Sequence, residues 1–142
     1  LHLITALNVG GAETMLARLL AEQCRSRPEL QSSVLSLMPP GLAGERIRSL
    51  GVPLGHAGLA GAGTLPGALW LLASRCRAAR PDLIVAWMYH AHLAALVARA
   101  AAPSSSPVIW NVRHSVHHLG REPLATRAIL RATALLSRVP RA

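Results

Sequence analysis

The chain has 142 residues, the length of a single domain, and 51% of them are hydrophobic whereas only 15% are charged. This composition excludes a disordered chain, because so apolar a sequence can bury enough surface to fold. The formal net charge is +9, and all fifteen basic residues are Arg. Charge alone therefore favours phosphorylated ligands, anionic lipid surfaces or nucleic acid as partners.

The first third of the sequence predicts strands and helices in alternation. A Leu-rich and β-branched run at 1–7 is typical of a buried strand, and Leu residues at helical spacing follow the adjacent Gly10 and Gly11. A second strand is expected at 32–37 and a helix at 42–51. Gly51 ends that helix, in the usual position of a left-handed C-cap.

The same alternation continues along the chain. A short third strand or an extended segment is expected at 52–58, and a helix from about Leu65 to the sequence "RAARPD". The continuous apolar run at 83–87 is typical of a strand buried on both faces. A helix at 89–102 and a strand at 108–112 follow.

A final helix is expected at 122–139, with Pro123 in its first turn. A βα unit repeated five times with short connections predicts parallel strands joined by right-handed crossovers. We therefore expect an α/β fold, a doubly wound and mostly parallel sheet of about five strands with helices on both faces. Residues 1–142 are expected to form one such domain.

Two features bear on the compartment. Residues 49–74 carry no acid and no Arg, but they contain six Gly and two Pro, which disfavour a membrane-spanning helix. Cys24 and Cys76 are far apart and form no C-x-x-C motif, so both are expected to be reduced, buried thiols. A soluble, cytoplasmic protein is the resulting expectation.

Three loops carry most of the unusual residues, and each follows a predicted strand: "NVGGAE" at 8–13, "MYH" at 88–90 and "RHS" at 113–115. Ligands of open parallel sheets bind outside the carboxyl ends of the strands, near the point where the strand order reverses. The glycine pair, with Glu13 in the first helical turn, fits a phosphate-handling loop. It equally fits a tight turn with a helix-stabilising acid.

The histidines are candidates for metal binding and for catalysis. A metal site built from His114, His117 and His118 is disfavoured, because neither Cys nor an acid accompanies them. A Ser-His-Asp triad is disfavoured because G-x-S-x-G is absent and Asp82 is the only Asp. His114 fits better as a general base or electrostatic group near a sugar hydroxyl, with a loop or core histidine as the alternative.

Arginines are candidates for binding anions. Arg113 follows a strand end and could clamp a phosphate with both arms of its guanidinium group. Arg127, Arg131 and Arg138 approximate one stripe of the last helix, which fits a solvated face or contact with an anionic membrane. Nucleic acid is disfavoured, because no aromatic residues are interleaved with the basic ones to stack on bases.

Three motifs taken together, "GGAETMLARLL", "RPDLIVAWMYHAHLAALVARAA" and "PVIWNVRHS", resemble the N-terminal domain of the family 4 glycosyltransferases. These are retaining enzymes of GT-B architecture, in which two Rossmann-like domains face each other across a cleft. The resemblance runs through nearly all of the chain. It implies a domain that holds the acceptor, a glycan or a lipid-linked group, opposite a second domain that binds most of the nucleotide-sugar donor. Bacterial surface polysaccharide or glycolipid synthesis is the implied setting.

The resemblance also implies roles for individual residues. His114 would be the catalytic residue near the transferring sugar; Gly10, Gly11, Glu13 and Arg113 would contact the donor phosphate or sugar; Tyr89 and His90 would line the acceptor cleft. No cofactor and no metal are expected, the nucleotide sugar being a co-substrate. The protein would lie in the cytoplasm and could associate peripherally with the inner face of the membrane.

Two departures from the family pattern shape the expectation. The donor-binding second domain is not part of these 142 residues, and "LLSRVPRA" ends where a further strand is expected. We therefore expect a fragment, a truncated gene product or a single excised domain with little transferase activity of its own. The competing hypothesis is a non-catalytic module that uses the same crevice for a phosphorylated ligand, or that binds an anionic surface.

Overall fold

The computed structural model of the chain describes residues 1–101, 106–112 and 124–137. Within these residues, five strands alternate with five helices. The strands are β1 (His2–Ile4), β2 (Val34–Ser36), β3 (Leu54–His56), β4 (Ile84–Trp87) and β5 (Val108–Asn111). The helices are α1 (Gly11–Ser26), α2 (Leu42–Ser49), α3 (Leu65–Ala79), α4 (Tyr89–Ala101) and α5 (Leu124–Leu135). Pro123, expected in the first turn of the last helix, lies outside the described residues.

The strands form one parallel sheet with the order β3-β2-β1-β4-β5. The chain builds outwards from β1 to β3 and then returns to place β4 on the other side of β1. The strand order therefore reverses between β1 and β4. This arrangement confirms the predicted doubly wound α/β fold.

The core has two layers, one on each face of the sheet, because successive residues of a strand point to opposite faces. On β1, Leu3 belongs to the layer under α3 and α4, whereas Ile4 belongs to the layer under α1 and α2. On β4, Ala86 and Trp87 divide in the same way. Burial on both faces explains why the central strands read as continuous apolar runs.

Two local expectations can be compared with the structure. Gly51 has φ +75°, so the predicted left-handed backbone at the end of α2 is confirmed. The expectation that both thiols are buried is wrong for Cys24, which is exposed, and correct for Cys76. The reason is that burial along α1 ends at Leu20, so the last turns of this helix lie outside the core.

The uncharged stretch at 49–74 does not form a long apolar helix. It is divided among the end of α2, β3, a 3-10 turn at Ala62–Thr64 and the start of α3. None of the helices in the described ranges is long and apolar enough to cross a membrane.

Candidate functional site

The candidate site lies at the carboxyl ends of β1 and β4, which are neighbours in the sheet. We use the name β1/β4 crevice for residues 8–13, which lead from β1 into α1, together with residues 88–90 at the start of α4. The reversal of strand order separates the two following helices onto opposite faces of the sheet, and this opens a crevice between the loops. Two of the three loops singled out in the sequence, 8–13 and 88–90, thus follow strands that are neighbours in the sheet.

The start of α1 explains one of the two glycines. Gly10 is the N-cap and has extended backbone angles that any residue can adopt, with φ −165°. A Cβ atom on Gly10 would collide with the carboxylate of Glu13, whereas a Cβ on Gly11 would meet nothing within 4 Å. A side chain on Gly10 would therefore displace the carboxylate of Glu13, whereas one on Gly11 would displace no described atom.

Glu13 is buried, with 9% of its surface exposed, in the first turn of α1. An acid at this position is stabilised by the positive end of the helix dipole. In the part of the chain that the structure describes, no ion pair involves Glu13. Neither loop of the crevice, 8–13 or 88–90, contains Arg. The described wall of the crevice therefore presents a negative charge and no compensating cation.

The turn from β4 into α4 has an unusual backbone. Met88 has φ +69°, a left-handed conformation that is uncommon for residues other than glycine. Its carbonyl accepts a hydrogen bond from the backbone N–H of His92 at 3.0 Å, which begins the helix. Strained turns of this kind concentrate at functional sites, because the surrounding structure must hold them in place.

Tyr89 and His90 follow this turn, and their rings lie against each other with centroids 4.4 Å apart. Both side chains are partly exposed. Burial lowers the pKa of His90, so its imidazole is neutral at pH 7. A neutral imidazole and a phenol can each donate and accept hydrogen bonds, which suits the hydroxyl groups of an uncharged ligand.

His92 is a feature whose environment the sequence did not predict. It is 2% exposed and stacks on Trp110 of β5, with ring centroids 4.9 Å apart and an interplanar angle of 10°. Burial lowers the pKa of His92, and the backbone of Asn111 and Ala86 opposes this shift more weakly. Among the described residues, neither ring nitrogen of His92 has a hydrogen-bond partner of normal geometry, and the same holds for Nε1 of Trp110.

A pocket of about 260 Å³ lies beside this stacked pair. We call it the α4–α5 pocket. Its lining residues come from the β4–α4 turn, the first turn of α4, the end of β5, and α5 with the turn that follows it: Met88, Tyr89, His92, Trp110, Val112, Leu130, Thr133, Ala134 and Ser137. The pocket was not predicted, because it arises where α5 packs beside the start of α4 and the end of β5, and a sequence pattern does not specify that packing.

The remaining predicted site residues, Arg113 and His114, lie outside the described residues, as do His117, His118 and Arg138. Among the residues that are described, no three His, Cys, Asp or Glu side chains cluster closely enough to hold a metal ion.

Comparisons with family models, with curated proteins and with solved structures found no match to this chain.

Proposed function

We propose that the chain is the acceptor-side domain of a retaining glycosyltransferase of the GT-B type. Its reaction would move a hexose from a nucleotide sugar to a glycan or lipid-linked acceptor, as in bacterial surface polysaccharide or glycolipid synthesis. The observation that carries the proposal is the adjacency of β1 and β4, whose loops bring Gly10–Glu13 and Tyr89–His90 to one crevice. The sequence motifs at the same two loops support it independently.

Within this proposal, the first loop binds the sugar of the nucleotide-sugar donor rather than the phosphates of that donor. Phosphate-binding loops offer free backbone N–H groups and a positive helix end to the anion. Here the carboxylate of Glu13 already lies against Gly10, where it would repel a phosphate and accept hydrogen bonds from hydroxyl groups. The donor phosphates are then assigned to Arg113 and to the second domain that the resemblance implies.

The proposed catalytic residue is His114, which follows Val112 by two positions in the sequence. Acting as a general base or as an electrostatic group near a sugar hydroxyl, it would assist the exchange of one glycosidic bond for another. Turnover requires both domains, so the 142 residues alone are assigned binding and not transfer. No metal and no resident cofactor form part of the proposal.

The test is an NMR titration of the chain with methyl α-D-glucopyranoside and methyl α-D-mannopyranoside. Binding at the crevice shifts the amide resonances of Gly10, Gly11 and His90, and His90→Ala weakens the binding several-fold. His56→Ala is the matched control, because His56 is an exposed histidine at the carboxyl end of β3, at the far edge of the sheet. Glycosides that shift no resonance of either crevice loop would contradict the proposal.

One observation favours the alternative of an anionic surface. The outward stripe of α5 carries exposed Leu124 and Leu135 with Arg131 between them, a pattern typical of helices that lie on membranes. Vesicle sedimentation with and without anionic lipid, over a range of salt concentrations, tests this alternative. Binding that requires anionic lipid and weakens with salt would support it, and binding that ignores both would exclude it.

A further inference from the structure

The α4–α5 pocket has a wall made almost entirely of carbon. Three of its lining residues carry hydroxyl groups, Tyr89, Thr133 and Ser137. Two of these groups already donate within the chain, Oγ1 of Thr133 to the carbonyl of Ile129 at 2.7 Å and Oγ of Ser137 to the carbonyl of Ala134 at 2.8 Å. The nitrogens of His92 and Trp110 are themselves buried beneath the surface. Among the lining residues that the structure describes there is no Arg, Asp or Glu. An uncharged, apolar group therefore suits it better than a sugar ring or an anion.

The size of the pocket restricts what can occupy it. Sites that enclose a whole drug-sized ligand usually measure about 300–1,000 Å³, and this pocket measures about 260 Å³. It can hold one substituent of a larger molecule, such as a short alkyl chain or a single aromatic ring. The rest of that molecule must lie outside it.

The pocket and the β1/β4 crevice have two residues in common. Met88 and Tyr89 belong to the crevice by position, at the carboxyl end of β4, and both also line the pocket. The thioether side chain of Met88 is unbranched and adapts easily to the shape of an apolar group. A ligand whose polar part lies in the crevice can therefore extend an apolar part past Met88 into the pocket.

We propose that the α4–α5 pocket binds the apolar aglycone of the acceptor, a short alkyl or aryl group attached to a neutral sugar. The inference rests on the proposed function, because it takes the crevice as the site of the sugar. It narrows the acceptor from glycans in general to amphiphilic glycosides. Alanine at position 134 and serine at position 137 leave the space that the aglycone fills.

The experiment is an NMR titration of the chain with methyl, butyl and hexyl β-D-glucopyranoside, each below the concentration at which it forms micelles. The affinity should increase by up to about fourfold for each methylene group that enters the pocket. The amide of Val112 and the methyl group of Thr133 should shift with the hexyl compound and not with the methyl compound. Equal affinities for the three glycosides would overturn the proposal.

Variants on α5 locate the effect. Ala134 and Ser137 line the pocket at exposed positions that tolerate a larger side chain, so Ala134→Leu and Ser137→Leu should fill it. Each variant should abolish the gain in affinity from the alkyl chain while methyl glucoside binding is retained. Ala128→Leu is the matched control, an exposed alanine of the same helix that does not line the pocket. An alkyl gain that persists in both filling variants would overturn the proposal, because the chain would then bind elsewhere.

A titration with 1-hexanol separates this inference from the proposed function. Hexanol that shifts Val112 and Thr133 while methyl glucoside shifts no crevice residue would support the apolar site and contradict the glycosyltransferase assignment. Methyl glucoside binding in the crevice without any effect of hexanol on the pocket would support the glycosyltransferase assignment and contradict the apolar site. A side chain of this protein that already fills the pocket would give that second result.

Discussion

The carboxylate of Glu13 occupies the space that a side chain on Gly10 would need. The two residues form one unit at the start of α1, in which the absence of a side chain at the N-cap allows an acid three positions later to fold back over the helix end. The neighbouring Gly11 is outside this unit. The glycine pair therefore has one member with a steric role and one without.

We predict that Gly10→Ala lowers the free energy of unfolding by about 1 kcal/mol, because Glu13 must leave a buried position. Gly11→Ala should leave it unchanged or raise it by up to about 1 kcal/mol, since alanine is the better helix former. Urea denaturation of the two variants measures the difference. In a Glu13→Ala background the cost of Gly10→Ala should become smaller, leaving only the preference of the N-cap for glycine over alanine, and an undiminished cost there would show that Glu13 is not its cause.

The same relationship shows which features the sequence could predict. The order of strands and helices follows from hydrophobic periodicity and from turn residues, both of which are local signals. The contact between Gly10 and Glu13 depends on a side-chain rotamer, and the stacking of His92 on Trp110 joins elements that are 18 residues apart. Such contacts arise only when the sheet has assembled, so a single sequence indicated the loops of the site and not their chemistry.

We predict that Glu13→Gln changes the ligand preference of the crevice. The variant keeps the shape of the side chain and removes its charge, so the positive end of α1 becomes available to anions. Inorganic phosphate, followed through the amide shifts of Gly10 and Gly11, should bind the variant about tenfold more tightly than the wild-type chain. Glu45→Gln is the control, because Glu45 is an exposed acid in the first turn of α2 and pairs with Arg48.

Equal phosphate affinity in the wild type and in Glu13→Gln would contradict this prediction. Such a result would favour binding of the donor phosphate by the first loop, which the resemblance also allows. Phosphate that binds the Glu45→Gln variant more tightly at α2 alone would show that any exposed helix end acts in this way.

We predict that position 88 reverses the usual order of glycine and alanine. Both substitutions remove the Met88 side chain, but glycine accepts φ +69° without cost whereas alanine does not. Met88→Gly should therefore be more stable than Met88→Ala by about 1 kcal/mol. At Met15, an exposed position within α1, the order should be the ordinary one, with alanine more stable by about 1 kcal/mol. The same order at both positions would mean that Met88 is not strained.

The last prediction concerns pH and the contact between β1 and β4. Nε1 of Trp87 donates a hydrogen bond to Nδ1 of His2 at 3.2 Å inside the core. Burial, with a smaller effect of the ammonium group of Leu1, lowers the pKa of His2 from 6.5 to about 4. As the pH falls, His2 is therefore protonated near pH 6.5 in the unfolded chain but only near pH 4 in the folded chain. The stabilisation is complete above pH 6.5 and is lost as the pH falls towards 4.

Between pH 7.5 and pH 5, His2 alone should lower the free energy of unfolding by about 2 kcal/mol. His90 and His92 add to this loss, because burial lowers the pKa of both. Urea denaturation at several pH values measures the slope. His2→Leu should flatten it over this range, although Trp87 loses its acceptor and the variant is less stable at pH 7.5. His56→Leu, the same substitution at an exposed position away from the contact between β1 and β4, is the control. A slope unchanged in His2→Leu would assign the pH dependence to other groups.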